Sequence, residues 1–345
     1  MTLHKILGTA FPIIQAPMAG VQGSALAIAV CNAGGLGSLP CATLSPDAMK
    51  SEIAAIEAQT VSPYNVNFFC HAPPVPSADR EAAWRAALAP YYAELGLDAG
   101  KVSGGAGRMP FNAEYAEVLS EIKPPVVSFH FGLPPPELFT RLKSWGAKTL
   151  GSATTVEEAL WLERHGVDCI IAQGLEAGGH RGIFLSDDLT TQVGTMALLP
   201  QIIRAVKVPV IAAGGIADAA GVKAAMAMGA SGVQIGTAYM LCPEANTSAV
   251  HRAALKSEAA RHTALTNLFT GRPARGIMNR IMKELGPMSS AAPEFPLATA
   301  AIAPLRATAE ARGSGDFSPL WSGQNANGCR EIPAAALTRE LAAGF

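Results

Sequence analysis

Residues 209–240, PVIAAGGIADAAGVKAAMAMGASGVQIGTAYM, hold two short apolar runs, 209–216 and 232–240, on either side of a segment with helical periodicity. Each run is too short for a buried helix, apolar on both faces, and bounded by Gly or Pro, which is how a strand covered on both sides reads. The segment between them starts at Asp218, a good N-cap, and ends at Gly229, where a helix C-terminus is expected. Strand, helix and strand together form one parallel crossover unit.

Working outward, similar runs occur at IIQAPM (13–18), LGSLP (36–40), NVNFF (65–69), PVVSFHFG (125–132), KTLGSA (148–153) and CIIAQG (169–174). Helical segments separate most of them. Thr155 with Glu158 fits a capping box, and Gly146 and Gly166 sit where helices should end. GVDCIIAQG and GASGVQIGT echo each other as repeated βα units would. Eight strands alternating with helices predict an α/β fold, a closed (β/α)8 TIM barrel in preference to an open doubly wound sheet.

Two segments exceed what a barrel needs. Residues 70–124 carry helical stretches and form an elaboration beside the barrel mouth; after residue 241 the helical periodicity continues, interrupted by Gly271-Arg272-Pro273. The expected division is a barrel of residues 1–241 and 305–345, with a smaller helical domain, 242–304, inserted after the eighth strand and covering the mouth. The last stretch, ending in IPAAALTRELAAGF, returns to the barrel wall.

Composition narrows the function. A hydrophobic share of 49% over 345 residues supports a substantial core, and 26 basic against 27 acidic residues, in no block of one sign, carry no nucleic-acid footprint. A small molecule is the expected partner. With no signal-peptide pattern and no apolar run of spanning length, the chain reads as soluble and cytoplasmic, with no membrane partner, as a monomer or homodimer. The six cysteines form no C-x-x-C pair, which argues against a zinc site and a disulfide framework, so no metal is expected.

Barrel chemistry sits at the C-terminal ends of the strands, with phosphate beside the seventh and eighth. There the sequence has Gly214 and Gly215, then Gly236 and Thr237. Glycines expose backbone N–H groups, and the threonine adds a hydroxyl. The competing reading, turns alone, fits a single Gly-Gly better than two glycine sites at consecutive strand ends. Ala16, Pro17 and Met18 after the first strand make a backbone and sulfur shelf for one face of a flat ring, or ordinary packing. Asn67 and Gln173 end the third and sixth strands; buried amides need partners, which the edge of an isoalloxazine or neighbouring strands would supply. Phosphate pocket, shelf and amides together describe an FMN site. NAGGLG (32–37) precedes a strand instead of following one, so it is no dinucleotide fingerprint. In AQGLEAGGHRG (172–182), Gly178 and Gly179 remove side chains just before His180 and let its ring project over a cofactor. Glu176 and Arg181 take no role.

IIQAPMAG, NAGGLGSL, NVNFFCH, SFHFGLP, AQGLEAGGHRGIF, PVIAAGGIAD and GVQIGTAYMLCPE together resemble the nitronate monooxygenases, formerly 2-nitropropane dioxygenases, of the FMN-dependent class I type. The resemblance covers practically the whole chain. It implies FMN-dependent oxidation of alkyl nitronates, such as propionate 3-nitronate, by dioxygen to a carbonyl compound and nitrite through one-electron flavin chemistry, a detoxification. It implies His180 as the catalytic residue, and Pro17, Met18, Asn67, Gln173, Gly178, Gly215, Gln234, Ile235, Gly236 and Thr237 as FMN contacts, to which the reading of the strand ends adds Ala16, Gly179 and Gly214. His130 is implied at the substrate rim. For neutral nitroalkanes His180 is also the expected base. An NAD(P)H-dependent quinone or enoyl-thioester reductase on the same scaffold, and a flavin-free phosphate-binding barrel enzyme, are the alternatives.

Overall fold

The computed structural model describes residues 3–101 and 108–345. Its strands are β1 (Ile13–Gln15), β2 (Gly37–Pro40), β3 (Tyr64–Phe69), β4 (Val126–His130), β5 (Lys148–Ala153), β6 (Cys169–Gln173), β7 (Gly179–His180), β8 (Val210–Ala213), β9 (Gly232–Ile235), β10 (Thr263–Thr266) and β11 (Ala274–Ile277). Eight of them pair in parallel in the order β1-β9-β8-β6-β5-β4-β3-β2. A bridge between Ile14 and Leu36 joins the two ends, with Gln15 N donating to Leu36 O at 3.0 Å and Leu36 N to Ile13 O at 2.8 Å. The sheet is a nearly closed barrel with helices around it, as the recurring strand–helix units predict.

Strand alternation sorts the apolar side chains between two cores. Ile13, Val66, Ile170 and Val233 face outward and pack with Leu26, Leu162 and Leu199 of the surrounding helices. Ile14, Leu150, Ile171 and Ile211 face inward with Leu3 and Leu7 of the helix Leu3–Leu7, which plugs the barrel interior. Helix signals read from the sequence are present: Thr155 Oγ1 accepts from Glu158 N, Asp218 Oδ1 accepts from Gly221 N, and Gly146, Gly166 and Gly229 have positive φ. Glu158 does not reach back to its own cap. Its buried carboxylate accepts instead from Thr154 N at 2.7 Å and Phe184 N at 2.6 Å, tying the following loop to the barrel.

The region after the eighth barrel strand is amended from the wholly helical expectation. β10 and β11 form an antiparallel pair across the Gly-Arg-Pro turn, and β11 also pairs with β7. The residues TALT and ARGI alternate only weakly, and β7, the partner that stabilises them, lies far away in sequence. The elaboration supplies the helix Ala78–Leu95, which packs on the helix Ala298–Ala311; Trp84 Nε1 donates to Ala298 O at 3.2 Å and Tyr92 Oη to Ala301 O at 2.6 Å. Trp84, Leu88, Phe269, Ile302 and Phe317 share this second core. Residue 304, expected as the end of the smaller unit, lies inside Ala298–Ala311. The helix Ala334–Ala342 packs back on Ser24–Asn32 and Ala219–Ala227 of the barrel wall. Among the described residues no helix is long and apolar enough to cross a membrane.

Candidate active site

A cleft enclosing about 1270 Å³, its open mouth included, lies at the C-terminal ends of the barrel strands. Ala16, Pro17 and Met18 form one side; His130 stands at the end of β4 and Gln173 at the end of β6, whereas Asn67, expected to end the third strand, lies inside β3, which continues through Phe68 and Phe69. Gly178, Gly179, His180, Gly214, Gly215, Gln234, Gly236 and Thr237 line the rest. Of the residues singled out from sequence, only Ile235 stays outside. Strand alternation turns its side chain into the outer core, and it reaches the site only through its carbonyl, which accepts from Ala16 N at 2.8 Å.

At the glycine-rich end, Gly214 and Gly215 have φ of 118° and 74°, conformations that disfavour a side chain. Thr237 Oγ1 accepts from Gly323 N at 2.9 Å, which leaves its hydroxyl proton to donate. Asn325 Nδ2 holds Gly215 O at 3.0 Å. Such a set of backbone groups and one hydroxyl suits a phosphate.

The amides are anchored as well as exposed to the cleft. Asn67 Nδ2 donates to Ser128 Oγ of the adjacent strand β4 at 2.9 Å, the strand-to-strand bond that is one of its two expected uses. Gln173 clamps the histidine loop with both ends of its amide: Nε2 donates to His180 O at 3.0 Å and Oε1 accepts from Gly182 N at 2.8 Å. His130 Nε2 lies 3.1 Å from the same His180 carbonyl, so it carries a proton and donates. His130 therefore borders the cleft while its ring holds the loop.

His180 lies in β7, paired with Ala274 of β11, and its Nε2 is 2.9 Å from Thr270 Oγ1. Phe69, Phe131, Phe295 and Trp321 surround the ring with centroids 5.4 to 6.0 Å away. Burial, then the positive charges of Arg108 and Arg272 and the neighbouring histidines, hold its pKa well below the usual imidazole value. A neutral ring is ready to accept a proton or a hydrogen bond.

Two further buried histidines carry a stability consequence. Burial lowers His71 and His251 to about 4. Both are neutral when folded but protonate near 6.5 once unfolded, so their contribution is full above 6.5 and is lost as pH falls toward 4. At pH 5.5 each costs about 1.4 kcal/mol. Thermal melts at pH 7.5 and 5.5 should show a clear drop in Tm at the lower pH; an unchanged Tm would contradict neutral burial.

Several lining residues escape sequence reading. Trp321, Gly323 and Asn325 enter from a segment far beyond the eighth strand, and Arg108 from the elaboration. Glu176, left without a role, lines the cleft while its carboxylate accepts from Thr195 N and Oγ1 at 2.8 Å, capping the helix Thr195–Ala205. Arg181, also unassigned, is fully buried; Nη1 and Nη2 bind the carbonyls of Gly174 and Gln173 at 2.7 and 2.8 Å, and Nε binds Gln192. It fixes the turn leaving β6.

Comparison with known proteins agrees with this geometry. The sequence profile of the nitronate monooxygenase family matches residues 1–344. A nitronate monooxygenase of Pseudomonas aeruginosa is 42% identical over 98% of this chain and 97% of its own length. One from Paraburkholderia phytofirmans is 43% identical over 98% of this chain and 93% of its own. Among solved structures, nitroalkane oxidase from Streptomyces ansochromogenes superposes with a TM-score of 0.90 at 39% identity, covering 99% of this chain and 97% of that one. FabK from Thermotoga maritima superposes with a TM-score of 0.75 at 27% identity, covering 100% and 96%. This chain, a barrel with a buried histidine beside the cleft at its strand ends, matched along nearly its whole length by these proteins, belongs to the nitronate monooxygenase family, a family of oxidoreductases.

Proposed function

We propose that the cleft holds FMN and that the enzyme oxidises alkyl nitronates, propionate 3-nitronate among them, with dioxygen to a carbonyl compound and nitrite. The observation that carries the cofactor assignment is Gln234: its side chain borders the cleft, and its Oε1 is buried without a hydrogen-bond partner. A buried acceptor requires a donor, and the imide N–H of a flavin ring is of the right kind. Gly236 supports the fit, since a Cβ there would stand 3.3 Å from Ala16 Cβ and 3.5 Å from Met18 Sδ and narrow the ring space. Gly214, Gly215, Gly236 and Thr237 would hold the phosphate, while Ala16, Pro17, Met18, Asn67, Gln173, Gly178 and Gly179 would frame the ring. Ile235 would contribute backbone only.

Bound FMN supplies the one-electron redox chemistry and the reaction with dioxygen. The chain's own residues bind and orient the anion and exclude water. Phe69, Phe131, Phe295 and Trp321 make an apolar wall around His180, which strengthens electrostatic contacts made there. In this reading His180 Nε2 donates to Thr270 Oγ1, so Nδ1 keeps its lone pair and takes the α-proton when the substrate is a neutral nitroalkane. Gln173 and His130 hold the loop through the His180 carbonyl and keep the ring in place.

Purified protein should be yellow, release FMN on denaturation, and produce nitrite from propionate 3-nitronate with oxygen uptake and without NAD(P)H. Colourless protein that binds no added FMN would rule the reading out. Anaerobic bleaching by NADH but not by nitronate would favour the reductase alternative.

A further inference from the structure

The cleft holds a cation that the chemistry above does not use. Arg108 lines it, half-buried, with its guanidinium carbon 5.6 Å from the centre of the Phe295 ring. The same ring lies 5.4 Å from His180 and 4.7 Å from His71, and His71 Nε2 donates to the Arg108 carbonyl at 3.0 Å, so Arg108 stands beside the histidines. No ion pair to Arg108 occurs among the described residues, and the preceding residues 102–107, VSGGAG, contain no acid. Burial, and then the positive charge of Arg306, lower its pKa. Arg272 adds a second positive charge, offset in part by Asp187 and Glu158. It stacks 4.1 Å from the centre of the Phe131 ring, forms no ion pair among the described residues, and has a buried Nε without a partner.

A partly desolvated guanidinium without a counter-charge is costly unless a ligand supplies one. The phosphate pocket does not, because it lies with Gly214, Gly215 and Thr237, whereas Arg108 stands with Phe295 and the histidines. We propose that Arg108 is a specificity-determining residue for the reaction proposed above, pairing with the carboxylate of a nitronate that carries one. The planar guanidinium fork matches a carboxylate bidentately, a geometry lysine cannot reproduce. Arg272, half-buried on the Phe131 ring and outside the cleft lining, contributes potential without contact.

This inference rests on the nitronate reading, and its test keeps the two apart. Steady-state kinetics with propionate 3-nitronate and with butyl-1-nitronate, which lacks the carboxylate, measure the preference of the FMN-loaded enzyme. Arg108→Gln should lower the ratio of the two kcat/KM values by about 10- to 100-fold, mainly through KM for the carboxylated substrate, and Arg108→Lys should restore only part of it. Calorimetric titration with succinate, a dianion of similar length, should show binding to the wild type that weakens by a similar factor in Arg108→Gln; butyrate should bind both weakly. An equal loss on both nitronates, or succinate binding unchanged by the substitution, overturns the assignment of Arg108. If the wild type turns over neither nitronate, the functional reading itself fails, while the succinate titration still tests the carboxylate site.

Discussion

Replacing His180 with Asn should lower turnover of neutral nitroalkanes by about 10²- to 10⁴-fold, the range for loss of a positioned general base. The loop should survive the change, because Gln173 and His130 both bind the His180 carbonyl and not its ring. FMN should therefore stay bound. Preformed nitronate needs no proton removed, so the variant should keep much more activity on it than on the nitroalkane. The pH dependence carries a second signature. With the His180 pKa held well below 6.5, the base form dominates throughout the neutral range, so kcat/KM on a nitroalkane should stay flat from pH 8 to 6.5 and fall only below that. A wild-type acid limb centred at or above 6.5 would contradict the depressed pKa, and equal losses on both substrate forms would remove the base role.

Replacing Gly178 with Ala should strip the enzyme of its cofactor. A Cβ at this position would lie 2.5 Å from Gly323 N and 2.6 Å from the Ser322 carbonyl carbon, and both are backbone atoms that cannot rotate away. The segments must then part. Gly323 is also the donor to Thr237 Oγ1, so the displacement passes directly to the proposed phosphate end. Overpacking of this kind costs about 1–3 kcal/mol, but the larger effect is expected on the flavin-to-protein ratio, which should drop from near one FMN per chain to a small fraction. Gly179→Ala is the matched comparison. Its Cβ would meet nothing within 4 Å, and only its φ of +70° opposes the side chain, so it should retain most of its FMN at a cost of about 1–2 kcal/mol. Absorbance at the flavin band per chain and the thermal midpoint of each apoprotein measure both. Full FMN occupancy in Gly178→Ala would show that the two segments do not jointly build the cofactor seat.

The barrel was legible because its strands carry a local signal. A run such as CIIAQ is buried on both faces and leaves no amphipathic ambiguity, and the glycine-rich strand ends mark where backbone must come close to a ligand. Gly178 and Gly179 likewise announce His180, since two residues without side chains just before a histidine leave it room. The antiparallel pair β10 and β11 carries no legible strand signal, because its residues alternate poorly and its third partner, β7, is two residues long and lies on the His180 loop. Glu176 and Arg181 looked like loop charges. Only the folded chain shows one capping a helix and the other holding two carbonyls inside the β6 turn.

The sequence by itself determined the class of fold, the strand ends that form the cleft, and the histidine that faces it, because each depends on residues within one βα unit. Tertiary structure alone decided what surrounds that histidine. Thr270, Phe295 and Trp321 come from beyond the eighth barrel strand and Arg108 from the elaboration after β3, so no spacing in the chain relates them to His180. Their neighbourhood depends on the second core, where Trp84 and Tyr92 dock on Ala298–Ala311. It also depends on β11 pairing with β7, which brings the insertion against the loop that carries His180. Burial, and then the positive charge of Arg108 and its neighbours in that assembled wall, hold His180 neutral, a property of the packed environment and not of the GGH motif.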